Sequence, residues 1–272
     1  MPKRALTKLK SLRLGRLVRL LVGGRELSFK DKVKLNYYPA KRPLQITFDG
    51  KPLRIIDAES FVGAYEEIFL NEVYGFKPTA DHVTIIDGGS NIGLAILFFK
   101  NRYPDSQIIS FEADPIIFEV LEWNVSSRGL EEVKVVNAAL WNSDTSLLFV
   151  SEGGASGHIA ASDESDNSLP VTAVRLKPWL QRKIDFLKLD IEGAEYEVLE
   201  DCREELKNVE NLFVEYHSEI KSDQKLSAIL QILSTAGFRY HIHEAFVSPR
   251  PFTDRPVLGQ MDLQLNIFAF RP

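Results

Sequence analysis

The chain has 272 residues, 44% of them hydrophobic, enough to bury one sizeable α/β core with a small addition. A net charge of −5 and a pI near 5.7 exclude a global attraction for nucleic acid, which would want an excess of Lys and Arg. A single cysteine, Cys202, excludes an internal disulfide, and no stretch holds the roughly 20 uninterrupted apolar residues of a membrane span. No segment has the pattern of a signal peptide, so a reducing, cytoplasmic setting is the expectation.

The first twenty residues carry seven Lys or Arg and no acid, interleaved with Leu6, Leu9, Leu12, Leu14, Leu17 and Leu20. A basic helix is predicted, although Lys10 and Arg13 interrupt its apolar arc. Two uses fit residues 2–22: peripheral contact with an anionic membrane surface or a lipid-linked substrate, and packing on the domain or on a second copy of the chain in a homo-oligomer.

Residues 44–56, LQITFDGKPLRII, place Asp49-Gly50 between two β-rich runs, which predicts a hairpin with a type I′ turn. Residues 1–58 therefore read as an extension, and 59–272 as the catalytic domain. Ser60 is the predicted cap of the next helix, in which Phe61, Tyr65, Ile68 and Phe69 form an aromatic face that is either plain core or a cover over a ligand.

Residues 83–93, VTIIDGGSNIG, turn from strand to helix around a nearly bare backbone. Val83, Ile85 and Ile86 suit a strand buried on both faces, and the apolar run 92–99 has helical length. Glycine between them permits positive φ and close approach of a ligand, while the helix start offers free N–H groups. A dinucleotide fingerprint needs Gly-x-Gly-x-x-Gly, and Ser90 stands where its second glycine would be, which argues against an NAD-linked oxidoreductase. The pattern present, Asp87-x-Gly89-x-x-x-Gly93 directly after a strand, resembles the first motif of class I methyltransferases that use S-adenosylmethionine.

Strands and helices then alternate, which implies a parallel sheet with right-handed crossovers. Gln107–Glu112 is a predicted strand, 115–128 a helix with Pro115 at its start, and 132–137 the next strand. Glu112 lies 19 residues past Gly93, where an acid can accept both ribose hydroxyls of an adenosine. The small side chains of Ala138 and Ala139 leave room for a flat adenine ring. Residues 140–150 read as a hairpin turning at Asn142-Ser143-Asp144. Residues 151–168 read as a loop whose Ser156 and His158 either line a substrate pocket or belong to a linker.

The strand Ile184–Leu189 runs into DIEGAE, residues 190–195, with a helix predicted to follow as far as Leu206. Ligands of an open parallel sheet bind outside the carboxyl ends of its strands, so Asp190 should share a crevice with Gly89 and Glu112. The next strand, 212–216, ends at His217, with Glu215 and His217 on one face and Tyr216 on the other. A helix over 222–236 stops at Gly237, and 238–243 with 263–270 close the sheet as an antiparallel pair. Pro249, Pro251 and Pro256 make 247–259 a stiff loop.

Having DGGSNIG, FEAD, NAAL and KLDIEGAE in this order and spacing, the chain is similar to the FkbM family of S-adenosylmethionine-dependent methyltransferases over about residues 61–270. The resemblance implies a doubly wound, seven-stranded, mostly parallel sheet and methyl transfer to oxygen, commonly a hydroxyl of a sugar, a glycan or a natural-product scaffold. It also implies that Asp87, Gly89, Asn91 and Gly93, with Ser90 in their turn, hold the methionine part of the cofactor. Glu112 would hold the ribose, and Asp190 would lie in the methyl-transfer zone.

An alcohol acceptor needs a base, and Asp190 and His217 are the candidates because both end strands on the ligand side; Glu192 would instead orient the acceptor or, with the other acids of DIEGAE, help bind a divalent metal. Three acids beside a helix start are commonly dipole partners and solvated charges, so no metal is assigned. The rival to catalysis is a Rossmann-like domain kept for binding a glycan or a partner.

Deleting residues 2–22 is expected to leave cofactor binding intact and to weaken binding to anionic vesicles at low salt, since each cation near such a surface contributes about 1 kcal/mol. Equal vesicle sedimentation of the full and shortened chains would favour packing over membrane contact.

Overall fold

The computed structural model describes residues 26–39, 42–79, 81–151, 157–159, 168–258 and 260–272; the predicted basic helix and Ser156 lie outside them. The central sheet has seven strands in the order β12-β13-β11-β10-β3-β4-β5. They are β3 (Thr84–Gly88), β4 (Gln107–Glu112), β5 (Val133–Asn137), β10 (Ile184–Leu189), β11 (Val209–Glu219), β12 (Arg239–Phe246) and β13 (Met261–Phe270). β13 is the antiparallel strand, paired with β11 on one side and β12 on the other; β3, β4, β5, β10 and β11 pair in parallel. This is the expected mostly parallel, doubly wound sheet.

Alternation along the strands divides the interior into two cores. Ile85, Phe186 and Phe213 face one, with the aromatic helix and the helix after the glycine turn; Ile86, Leu187, Leu212 and Val214 face the other. Each core is built from side chains two residues apart on strands that are apolar on both faces, as a sheet covered on both sides requires.

The hairpin β1 (Leu44–Phe48) and β2 (Lys51–Ile55) turns at Asp49 and Gly50, with φ of 49° and 71°, the left-handed pair that a type I′ turn demands. It belongs to the first core: the Phe48 ring packs edge-on against Phe61, Tyr65 and Phe69 at 5.0–6.3 Å between centroids. Asn124 completes the attachment. Its Oδ1 accepts from the Arg54 N–H, and its Nδ2 donates to the carbonyls of Arg54 and Ile92, all at 2.9 Å.

Several elements differ from expectation. A helix, α1 (Phe29–Tyr37), precedes the hairpin, with Ser28 accepting from the Asp31 N–H at its start. The aromatic helix α2 (Ala58–Tyr65) is capped by Asp57, whose carboxylate accepts from the Ser60 N–H at 2.7 Å; Ser60 is the capped residue. It continues as a π turn over Glu66–Leu70, a form that often re-aims a side chain at a functional site. Residues 140–150 are no hairpin. β6 (Ala139–Trp141) and β7 (Thr145–Ser151) both pair with β9 (Ser168–Arg175), which lies between them, and β8 (Gly157–Ile159) adds the fourth strand of this small sheet.

The remaining helices are α3 (Leu94–Arg102), α4 (Pro115–Ser127), α5 (Glu195–Asp201) and α6 (Leu226–Thr235). α5 is shorter than predicted, and β11 runs two residues past His217. No helix among the described residues is long and apolar enough to cross a membrane.

Candidate active site

Strand order in the sheet reverses between the parallel neighbours β3 and β10, and the crevice at their carboxyl ends is where such sheets bind ligands. The Gly88 carbonyl accepts from the Asp190 N–H at 3.2 Å, so the two strand ends close on each other. Gly89 has φ 77°, and a Cβ built on it would stand 1.7 Å from the Asp190 carbonyl oxygen. The bare backbone at 89 thus serves the protein before any ligand: a side chain there would part β3 from β10.

The turn is held from below. Gly89 and Ser90 donate their N–H groups to the Phe111 carbonyl at 3.0 Å, and the Ser90 hydroxyl donates to the Asp87 carbonyl while pairing with Ser110. Asn91, at φ 49°, donates its N–H to Glu112 Oε2 at 2.8 Å. A left-handed non-glycine residue stores strain, and such residues concentrate at functional sites.

Two adjoining cavities open over this turn. The smaller, about 80 Å³, is lined by Phe111, Glu112, Ala138, Ala139 and Ile191 together with Gly89 and Asn91. Glu112, Asp114, Asp190 and Glu192 stand among its apolar walls, with Glu112 at the end of β4. Both Glu112 oxygens are fixed, Oε1 by the Asp114 N–H at 2.9 Å and Oε2 by that of Asn91. Burial pushes the Glu112 carboxyl up to about 7 despite those two bonds.

The larger cavity, about 640 Å³, takes in Ser90, Asn91, Asp190, Glu192 and His217 on one side. Ser60, Gly63, Ala64 and Glu67 of α2 with its π turn form the other, with Gly157 and His158 of β8 at the rim. The aromatic helix is therefore both core and cavity wall.

Two expected cofactor residues are elsewhere. Asp87 is fully buried beneath the turn, 3.3 Å from the Lys188 ammonium, and lines neither cavity. Its register explains this, because Asp87 and Lys188 are direct neighbours across β3 and β10. Gly93 also lines neither cavity; at φ 92° it starts α3, and a Cβ there would meet Leu121 at 2.9 Å. Both shape the turn, Asp87 through Lys188 and Gly93 through the start of α3.

Lys188 was not singled out from sequence. Its ammonium donates to the Gly88 and Gly89 carbonyls at 3.3 and 2.8 Å and lies 3.2 Å from Asp190 Oδ2. Burial would strip its proton, but Asp190 and then Asp87 hold the charge in place and raise its pKa. Burial likewise opposes charge on Asp190, yet Lys188, then His217 and a hydrogen bond from Glu215, keep its pKa below the ordinary value. Burial and the neighbouring Asp190 drive the Glu215 carboxyl well up, which favours the form that donates to Asp190.

His217 differs most from expectation. Its Nδ1 meets Glu195 Oε1 at 3.0 Å, and Nε2 faces Glu192 Oε2 at 3.5 Å and the Gln264 amide at 3.2 Å. Burial alone would lower its pKa, but Glu195, then Glu192 and Asp190, push it up to about 10. These carboxylates favour the charged ring, which argues against a histidine base titrating near 6.5.

Glu195 was missed as a partner although it is the last acid of DIEGAE. Its Oε1 also accepts the N–H groups of Ile191 and Gly193 at 3.2 and 3.1 Å, so it locks the whole turn. Glu192 within that turn sits at φ 53°, ahead of Gly193 at 99°, and is half-buried at the cavity floor.

Because ribose hydroxyls donate to a carboxylate, binding of adenosine favours ionised Glu112 and lowers its pKa from about 7. Affinity for S-adenosylhomocysteine is therefore expected to be level above about pH 8 and to weaken by up to about tenfold per pH unit below 7. Glu112→Gln should bind more weakly at high pH and lose this dependence. Calorimetry from about pH 5.5 to 8.5 checks it, and a level wild-type profile would remove Glu112 from the ribose site.

A sequence profile described as the methyltransferase FkbM domain matches residues 87–240. Methyltransferase 1 of Beauveria bassiana (strain ARSEF 2860) is 28% identical over 177 residues, 56% of this chain and 71% of that protein. Methyltransferase sdnD of Sordaria araneosa is 30% identical over 188 residues, 56% of this chain and 73% of that protein. Among solved structures, methyltransferase FkbM from Methylobacillus flagellatus KT aligns with a TM-score of 0.46 at 14% identity, covering 71% of this chain and 45% of that one. M. jannaschii TYW2 in complex with AdoMet aligns at 0.48 and 13% identity, covering 86% and 89%. The profile spans more than half of the chain and takes in the glycine turn, Glu112 and the acidic turn together, so the chain belongs to the FkbM family of S-adenosylmethionine-dependent methyltransferases.

Proposed function

We propose that the chain is an O-methyltransferase acting on a hydroxyl of a sugar, a glycan or a natural-product scaffold. The observation that carries this reading is the carboxylate of Asp190, half-buried at the junction of the two cavities beside Gly89 and 3.2 Å from the Lys188 ammonium that favours its charged form. S-adenosylmethionine, when bound, supplies an electrophilic methyl on a sulfonium. Glu112 is suited to the ribose, and Ala138 and Ala139 to the adenine. The turn Gly89-Ser90-Asn91 forms the wall beside the methionine part, and the acidic floor favours the positive charge.

On the acceptor side, Asp190 would take the hydroxyl proton as the methyl passes from sulfur to oxygen, its bond to sulfur breaking to leave a neutral thioether, a task for a carboxylate held in its charged form by Lys188. Glu192 orients the hydroxyl. His217, tied to Glu195 through Nδ1, steadies the turn that carries both carboxylates. Alignment of the three reacting atoms supplies the rest of the acceleration.

Asp190→Asn is expected to slow turnover by about 10²–10⁴ while S-adenosylmethionine affinity stays within a few fold, because the proton comes from the acceptor and not from the donor. The check is a labelled-methyl assay on a panel of hydroxyl-bearing sugars and polyketide alcohols, with products identified by NMR. An N- or C-methyl product, or an Asp190→Asn variant as fast as wild type, would contradict the proposal.

A further inference from the structure

The floor of the larger cavity gathers three donors of the kinds that hold divalent cations. One carboxylate oxygen of Asp190, one of Glu192 and a ring nitrogen of His217 all lie within 4.8 Å of one another. The set is not merely acidic: a buried imidazole joins two oxygens, a mixture that suits Mn²⁺ or Zn²⁺ better than the all-oxygen cages preferred by Ca²⁺ and Mg²⁺. Donors about 2.1 Å from an ion stand about 3–4.2 Å apart. Nε2 of His217 is 3.5 Å from Glu192 Oε2, so small side-chain rotations close the set.

The group behind the histidine points the same way. Glu195, outside the donor set, holds Nδ1 at 3.0 Å and is itself 1% exposed. A carboxylate on the far nitrogen fixes a ligating ring and raises its basicity, an arrangement typical of metal-bound histidine. The surrounding charge also asks for a cation. Among the described residues that line the cavity, Lys188 is the sole Lys or Arg beside the acids Asp57, Glu67, Asp190, Glu192 and Glu219, and an ion at the floor would take the place of the proton on the ligating nitrogen of His217.

We propose that Asp190, Glu192 and His217 bind one divalent transition-metal ion of the Mn²⁺ or Zn²⁺ type at the cavity floor. Each residue gives a single donor atom, so the ion would keep open positions toward the cavity. Those positions are suited to acceptor oxygens, and the site does not depend on which acceptor enters.

The test uses the full chain, stripped with a chelator and titrated with Mn²⁺ by calorimetry and electron paramagnetic resonance. One ion per chain is expected, with a Kd below roughly 100 μM. Glu192→Gln and His217→Ala should each weaken binding by at least about tenfold, and Glu195→Gln by about 10–100-fold through the histidine. Because His217 is buried in a strand, Glu192→Gln, on a half-exposed turn, decides the matter, with thermal unfolding and S-adenosylhomocysteine binding recorded to show that it folds. No binding of Mn²⁺ or Zn²⁺ at about 1 mM, or wild-type affinity in Glu192→Gln, overturns the site. Full turnover to an O-methyl product after chelation would also overturn it while leaving O-methylation standing; a Mn²⁺-loaded chain that makes an N-methyl product would do the reverse.

Discussion

A buried ammonium holds the centre of this protein together. Lys188 is 3% exposed, and it sits where β3 and β10 end side by side, between Asp87 below and Asp190 above. It also ties down the carbonyls of Gly88 and Gly89, which fixes the bare backbone that the cofactor turn needs. Isolated, such a charge would cost several kcal/mol to bury; with two carboxylates and two carbonyls it becomes the joint of the two half-sheets.

Everything functional is placed relative to that joint. The Asp190 carbonyl can stand against Gly89 because position 89 lacks a side chain, and the acid turn that follows is locked by Glu195 onto His217 of the next strand. The smaller cavity carries Phe111, Ala138, Ala139 and Ile191 beside its acids, whereas the larger one sets its acids beneath an α2 face of small residues, with Asp190 and Glu192 common to both. A low-dielectric floor with surplus negative charge favours a cationic donor and strengthens each polar contact there.

Much of this is legible in the sequence, for identifiable reasons. β-branched runs bounded by turns gave β4 and β10 with their observed ends, Asp49-Gly50 marked the hairpin, and strand alternation put Glu215 and His217 on the cavity face. What stayed hidden depends on register or on distant pairing. Nothing local says that Asp87 faces Lys188 and not the ligand, since that follows from the alignment of two strands about a hundred residues apart. Nor does Glu195 announce that it will meet His217, 22 residues later on another element. α1 left a cue in Ser28-x-x-Asp31 that its polar surroundings obscured, and β9 separates β6 from β7 although those two are nearer in sequence.

The most direct measurement is the stability of Lys188→Met by urea unfolding, combined with S-adenosylhomocysteine binding. Methionine keeps the length of the side chain and removes the charge, which leaves Asp87 buried without a counter-ion and frees two turn carbonyls. The expected result is a loss of about 3–5 kcal/mol, the range for removing one partner of a buried ion pair, together with loss of cofactor binding. A variant within about 1 kcal/mol of wild type that still binds S-adenosylhomocysteine would show that the ammonium is not the joint of the site.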